Sequence, residues 1–147
     1  MGWMLGLVAC AHTPDEGSSA DALAVTEVAA RSALDHDVPA VDRNAAPICL
    51  EVDGRPPPPE LLARLSSGPV QVFGSGTACA GPRAVRLQVS GVVVSGTSAV
   101  ARAGVQLGAS GVLELRKLDG QWRVLKPAGQ TGSGQGRVQP GEPLVGP

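Results

Sequence analysis

Asp119-Gly120 separates two runs in which apolar and polar residues alternate, Leu113 to Leu118 and Gln121 to Leu125. A two-residue type I′ turn needs positive φ at both corners, and its twist matches that of paired antiparallel strands. The dipeptide therefore demands a hairpin and sets its register. Leu115 falls opposite Val124 and Lys117 opposite Trp122 on one face, with Arg116 opposite Arg123 on the other. The same period of two runs upstream. Val85, Leu87 and Val89 alternate with Arg86, Gln88 and Ser90. After Ser95-Gly96, residues Ala99, Ala101, Ala103, Val105 and Leu107 alternate with Val100, Arg102, Gly104 and Gln106. The stretch from Val85 to Leu125 thus reads as an antiparallel meander with one apolar face.

The first half has a different period. From Asp21 to Asp35 the pattern is helical, with Ser18 or Ser19 as caps. Glu27, Arg31 and Asp35 fall on one stripe at i,i+4 spacing, which suits mutual ion pairing. Alanines, valines and leucines cover most of the remaining circumference, so this helix belongs against a sheet. Residues 37–47 read as a loop. Ile48, Leu50 and Val52 alternate with Cys49, Glu51 and Asp53 as a strand, and Pro56 to Pro59 end it. Glu60 to Leu65 is a short second helix with Pro59 at its first position, and Val70 to Phe73 is a brief strand. The expected fold class is α+β, an N-terminal helix packed on an antiparallel, roll-like meander sheet. Residues 18–126 form its single domain. Residues 127–147, rich in Gly and Pro, read as a disordered tail.

Large side chains are scarce in that domain. The chain has no Tyr, one Phe (Phe73) and two Trp, of which Trp122 alone lies beyond the first ten residues. Val, Leu and Ala must supply the burial, at about 25 cal/mol per Å² of apolar surface. The shortage also argues against stacking platforms for single-stranded nucleic acid, which need several rings. A net charge of −1 gives the whole molecule no pull toward nucleic acid. The charge is unevenly spread, however. Residues 1–60 hold ten acidic and three basic side chains, and the remainder three acidic and nine basic.

Residues 1–17 read as an address and tether. Leu7-Val8-Ala9-Cys10 follows a short apolar run and resembles the lipobox of exported bacterial lipoproteins, although no Lys or Arg precedes it. The resemblance implies cleavage before Cys10, a diacylglycerol on its thiol and an acyl chain on its amine, which together anchor a protein stably. It places the domain in the cell envelope. Ala11 after the cysteine implies the outer membrane, or at least the periplasmic side, in a Gram-negative cell. Cys49 and Cys79 then remain as an even pair in an oxidising compartment. A disulfide between them closes a loop worth roughly 3–4 kcal/mol; the other reading is two buried thiols.

The final hairpin, Leu113-Glu-Leu-Arg-Lys-Leu-Asp-Gly-Gln-Trp-Arg-Val-Leu125, resembles the closing strands of the cystatin-like or nuclear-transport-factor-two-like α+β roll superfamily. Exported bacterial lipoproteins of that build are similar too, with a cysteine placed as in Ile48-Cys49-Leu50. The resemblance implies an α+β roll. It assigns no ligand, because the aromatic-lined pocket usual in that superfamily has no counterpart in this composition.

No chemical motif emerges. Gly74-Ser75-Gly76-Thr77 lacks the lysine of a phosphate-binding loop and reads as a turn beside the disulfide. Gly108-Ala109-Ser110-Gly111 falls one residue short of a nucleophile elbow. In Asp35-His36-Asp37, consecutive side chains diverge, so His36 reads as a cation at a helix C-terminus and not as a metal ligand. No catalytic residue, cofactor or metal is expected. One constellation remains: Arg86, Arg102, Arg116 and Arg123 share the polar parity of their strands. They form either a solvated face or an anion-binding one, plausible beside anionic lipids or wall polymers. Two function classes follow. The first is a non-catalytic envelope lipoprotein that meets a membrane through Cys10 and an envelope protein or anionic surface through its sheet. The second is a small-ligand-binding or degenerate enzymatic roll domain.

Overall fold

The computed structural model describes residues 16–106, 108 and 110–126. The expected lipidation site at Cys10, His12, Leu107, Ala109 and the segment from Pro127 onward lie outside the described residues.

Helix α1 spans Glu16–Asp37. It begins five residues before the expected Asp21, inside the segment read as tether. Its first turns are exposed at Ser19 and Ala20, and an unburied turn leaves no apolar period to mark it. Val25, Ala29, Ala30, Ala33 and Leu34 form the buried stripe. Thr26 is buried too, and its hydroxyl donates to the Ala22 carbonyl at 2.7 Å, so no polar atom is stranded there. Arg31 pairs with Glu27 as expected. Asp35 instead pairs with Arg43, at 2.9 Å.

Arg43 sits on α2, Ala40–Ala45, where a loop was expected. The helix buries no residue, so the sequence carries no apolar pattern for it. Strand β1 (Ile48–Val52) is followed by α3 (Pro59–Leu65), which has proline in its first turn and buries Leu61 and Leu65. Strand β2 is Val72–Phe73. The Gly-Ser-Gly-Thr run, read as a turn, leads into a one-turn helix α4, Thr77–Ala80. Then come β3 (Val85–Ser95), β4 (Ser98–Val105), β5 (Ser110–Leu118) and β6 (Gln121–Lys126).

All six strands form one sheet in the order β2-β1-β3-β4-β5-β6. The fold is α+β, but the sheet is mixed and not wholly antiparallel. β1 runs parallel to β2 and to β3, while β3 to β6 pair antiparallel in sequence order. Alternation reveals which side of a strand is buried and says nothing about its direction. Here the connections decide: helices α3 and α4 carry the chain back between parallel neighbours, as such pairs require.

α1 packs on β3, β4 and β6 and touches α3. The core between them holds Ile48, Leu50, Leu87, Val89, Leu113, Leu115 and Trp122 from the strands. Ala99, Ala101 and Ala103 are the side chains that β4 gives to the core, beneath a helix whose own stripe is largely alanine. Small residues on both layers leave room for helix and sheet to pack without aromatic side chains between them.

Candidate functional site

The helices α1 and α3 leave the second face of the sheet open, and every expected arginine lies there. Cross-strand register places the residues in rows. Ser95, Ser98, Arg116 and Arg123 make one row. Val93, Val100 and Glu114 make the next, and Ser90, Arg102 and Val112 the third. Further along, Cys49 and Arg86 are register partners on β1 and β3. The Arg116–Arg123 juxtaposition is therefore real, and it follows from the hairpin turn, where Asp119 and Gly120 have φ of 52° and 76°.

The four arginines do not form one site. Cys49 and Cys79 are joined by a disulfide, with Cα atoms 5.7 Å apart, and it holds α4 over the β1 end of the open face. Arg86 Nη2 donates to the Cys79 carbonyl at 2.9 Å. This arginine satisfies a backbone acceptor of α4 and adds a second tie to the segment that the disulfide holds. Arg102, Arg116 and Arg123 differ. They are exposed, and none has an ion pair or side-chain hydrogen bond among the described residues. Glu114, the acidic residue between them, pairs with none of the three within the same bounds. Parity revealed the shared face; a bond to a backbone carbonyl has no sequence signature.

Apolar side chains share that surface. Val93, Val100, Val112 and Leu125 are 63%, 44%, 48% and 52% exposed, values that mark an uncovered aliphatic layer. Three of them, Val100, Val112 and Leu125, stand at the parity of the arginines of their strands, so the signal was present in the sequence. Val93 reaches the face because the register shifts between Ser90 and Val93. At this bulge Gly91 adopts φ +61° and its amide donates to Asp53 Oδ1 at 3.0 Å. The bulge leaves a shallow hollow of about 280 Å³ between Ser90, Gly91, Val100, Arg102 and Val112.

A larger cleft, about 760 Å³, lies on the other side between α1, α3 and the end of β1, lined by Leu23, Thr26, Asp53, Glu60 and Arg64 among others. Its charges are engaged: Asp53 accepts from Gly91, and Arg64 pairs with Glu60 and with Glu27. At the C-terminus of α1, His36 is exposed. Asp37 has one buried oxygen without a partner among the described residues, and desolvation pushes its carboxyl above the ordinary value. No group of three or more potential metal ligands occurs among the described residues, and no described helix is long and apolar enough to cross a membrane. No known family, curated protein or solved structure matches the chain.

Proposed function

We propose that this chain is a non-catalytic, lipid-anchored domain of the bacterial cell envelope whose open sheet face docks onto an anionic surface. The observation that carries the reading is the set Arg102, Arg116 and Arg123, held on one side of a rigid sheet without an acidic partner among the described residues. Like charges opposite each other cost stability, as with Arg116 and Arg123, and an external anion offsets that cost. Leu7-Val-Ala-Cys10 supports the anchor, and with it a place at the outer membrane or periplasmic surface of a Gram-negative cell. The final hairpin supports kinship with the cystatin-like or nuclear-transport-factor-two-like rolls. Kinship of that kind supplies a scaffold and no activity.

Two measurements test the reading. Expressed in a bacterium, the chain should take up labelled fatty acid and Cys10→Ser should not; unlabelled wild type refutes the anchor. The Cys10→Ser protein should then adhere to anionic surfaces at low salt and be released as salt rises. An Arg102→Gln, Arg116→Gln, Arg123→Gln variant should lose that adhesion; equal adhesion refutes the docking face. The second reading, a small-ligand-binding or degenerate enzymatic roll, is favoured by one observation, the 760 Å³ cleft beside α1 and α3.

A further inference from the structure

We propose that the occupant of the open face is the headgroup layer of an anionic phospholipid bilayer, with Arg102, Arg116 and Arg123 on lipid phosphates and Val93, Val100, Val112 and Leu125 among the glycerol and upper acyl carbons. This deepens the anionic-surface reading and rests on it.

A surface built only for a charged polymer would fill the spaces between its cations with polar groups. Here Val93 and Val100 occupy the row between them, with Glu114 beside Val100. Val93 lies directly opposite Val100, and Val112 directly opposite Arg102. The row of paired valines therefore runs between the row holding Arg116 and Arg123 and the row holding Arg102. A lipid headgroup layer presents the matching alternation, anionic phosphates above apolar carbon, and arginine suits it because its stem packs on apolar matter while its guanidinium stays with phosphate. The hollow at the bulge gives Arg102 a recess of about 280 Å³ walled by Val100 and Val112, with the Ser90 hydroxyl beside it. That recess is large enough for one phosphate group.

Charge argues against a second copy of the chain on this face. Stacking two such sheets would set three arginines of one copy, unpaired among the described residues, against three of the other, with a single Glu114 on each copy to offset them. Chain length argues for the bilayer. Asp21 accepts hydrogen bonds from Lys117 and Trp122, so the first turns of α1 stand beside the β5–β6 hairpin. Six residue steps separate Glu16 from Cys10, and they span at most about 22 Å when extended. Face-packed layers of a fold stand on the order of 10 Å apart. A lipid on Cys10 can therefore enter the same bilayer plane that the open face meets.

The test uses the full chain carrying Cys10→Ser, so that every variant retains the same N-terminal residues and differences between variants report the face alone. Binding is measured against vesicles of phosphatidylcholine, against vesicles that also contain phosphatidylglycerol, and against soluble polyphosphate. The protein should prefer the phosphatidylglycerol vesicles. Replacing Arg102, Arg116 and Arg123 with Gln should weaken that binding on the order of 100-fold. Replacing Val93, Val100, Val112 and Leu125 with Thr should weaken vesicle binding at least about tenfold and spare binding to polyphosphate. Val41→Thr, on the exposed side of α2, should change neither. Threonine is a good strand former; if the quadruple variant does not fold, Val100→Thr and Val112→Thr are read singly. Equal vesicle binding by the Thr variants overturns the lipid assignment and leaves a polyanion as occupant. Undiminished vesicle binding by the Gln variant overturns the anionic-surface reading as well. Concentration-dependent dimerisation abolished by the Thr changes, without vesicle binding, assigns the face to a second copy and overturns both.

Discussion

Asp21 Oδ1 accepts a hydrogen bond from Trp122 Nε1 at 3.0 Å, joining the start of the first helix to the last strand across 101 positions of sequence. Lys117 donates to the same oxygen at 2.8 Å, and its ammonium lies 5.9 Å from the Trp122 ring centre. The hairpin register sets Lys117 beside Trp122, and the carboxylate fastens both to the helix. In a core with so few rings, Trp122 is the main side chain closing the β6 end.

Trp122→Ala should therefore cost about 3–5 kcal/mol in a urea titration. The Asp21 carboxyl is held below its ordinary value of 3.8, first by the Lys117 hydrogen bond and then by that of Trp122. A depressed acid contributes stability above its unfolded value and loses it as pH falls through the folded one. Wild type should lose more stability than Asp21→Asn on acidification below 3.8. Parallel acid titrations of the two proteins show that the tie is not ionic.

Asp37 has the opposite sign. Burial raises its carboxyl above 3.8, so ionisation costs the native state stability as pH rises through the folded value. Asp37→Asn should be more stable than wild type at neutral pH, with the difference closing as pH falls through the folded value toward 3.8. A difference that stays constant from neutral pH down to 3.8 contradicts the assignment.

The Cys49–Cys79 clamp separates Arg86 from the other arginines. Reduction should lower the unfolding free energy by about 2–5 kcal/mol. In the oxidised protein Arg86→Gln should cost about 0.5–1.5 kcal/mol, through the lost bond to the Cys79 carbonyl. Arg102→Gln should change stability by less than about 0.5 kcal/mol. Similar values for the two arginines contradict the distinction.

Arg116→Gln should raise stability by about 0.2–1 kcal/mol, because it relieves the repulsion with Arg123 across the hairpin. The urea midpoint should move upward with an unchanged slope. A downward shift means that an unseen anion partner already stabilises the pair.

What could be read before the structure followed local chemistry. The β5–β6 register came from Asp119-Gly120, the start of α3 from Pro59, and the inner face of β3 and β4 from alternation. The half-cystine pair followed from setting Cys10 of the three cysteines aside as the expected lipid site. What escaped was non-local or unpatterned. Helix α2 buries nothing, and α4 hides in a Gly-rich run. The direction of β1 depends on its connections. Asp21 meets Trp122, and Arg86 meets a carbonyl, through contacts that no spacing encodes. The open face was half legible: its cations stood out by parity, whereas its valines looked like ordinary strand formers.

The most direct measurement of the docking face is methyl nuclear magnetic resonance of the Cys10→Ser protein on phosphatidylglycerol vesicles carrying a nitroxide at the headgroup. Val93, Val100, Val112 and Leu125 methyls should broaden, while those of Leu23 and Val28 on the helix side should stay sharp. Broadening confined to the helix-side methyls, or none on either side, contradicts the account.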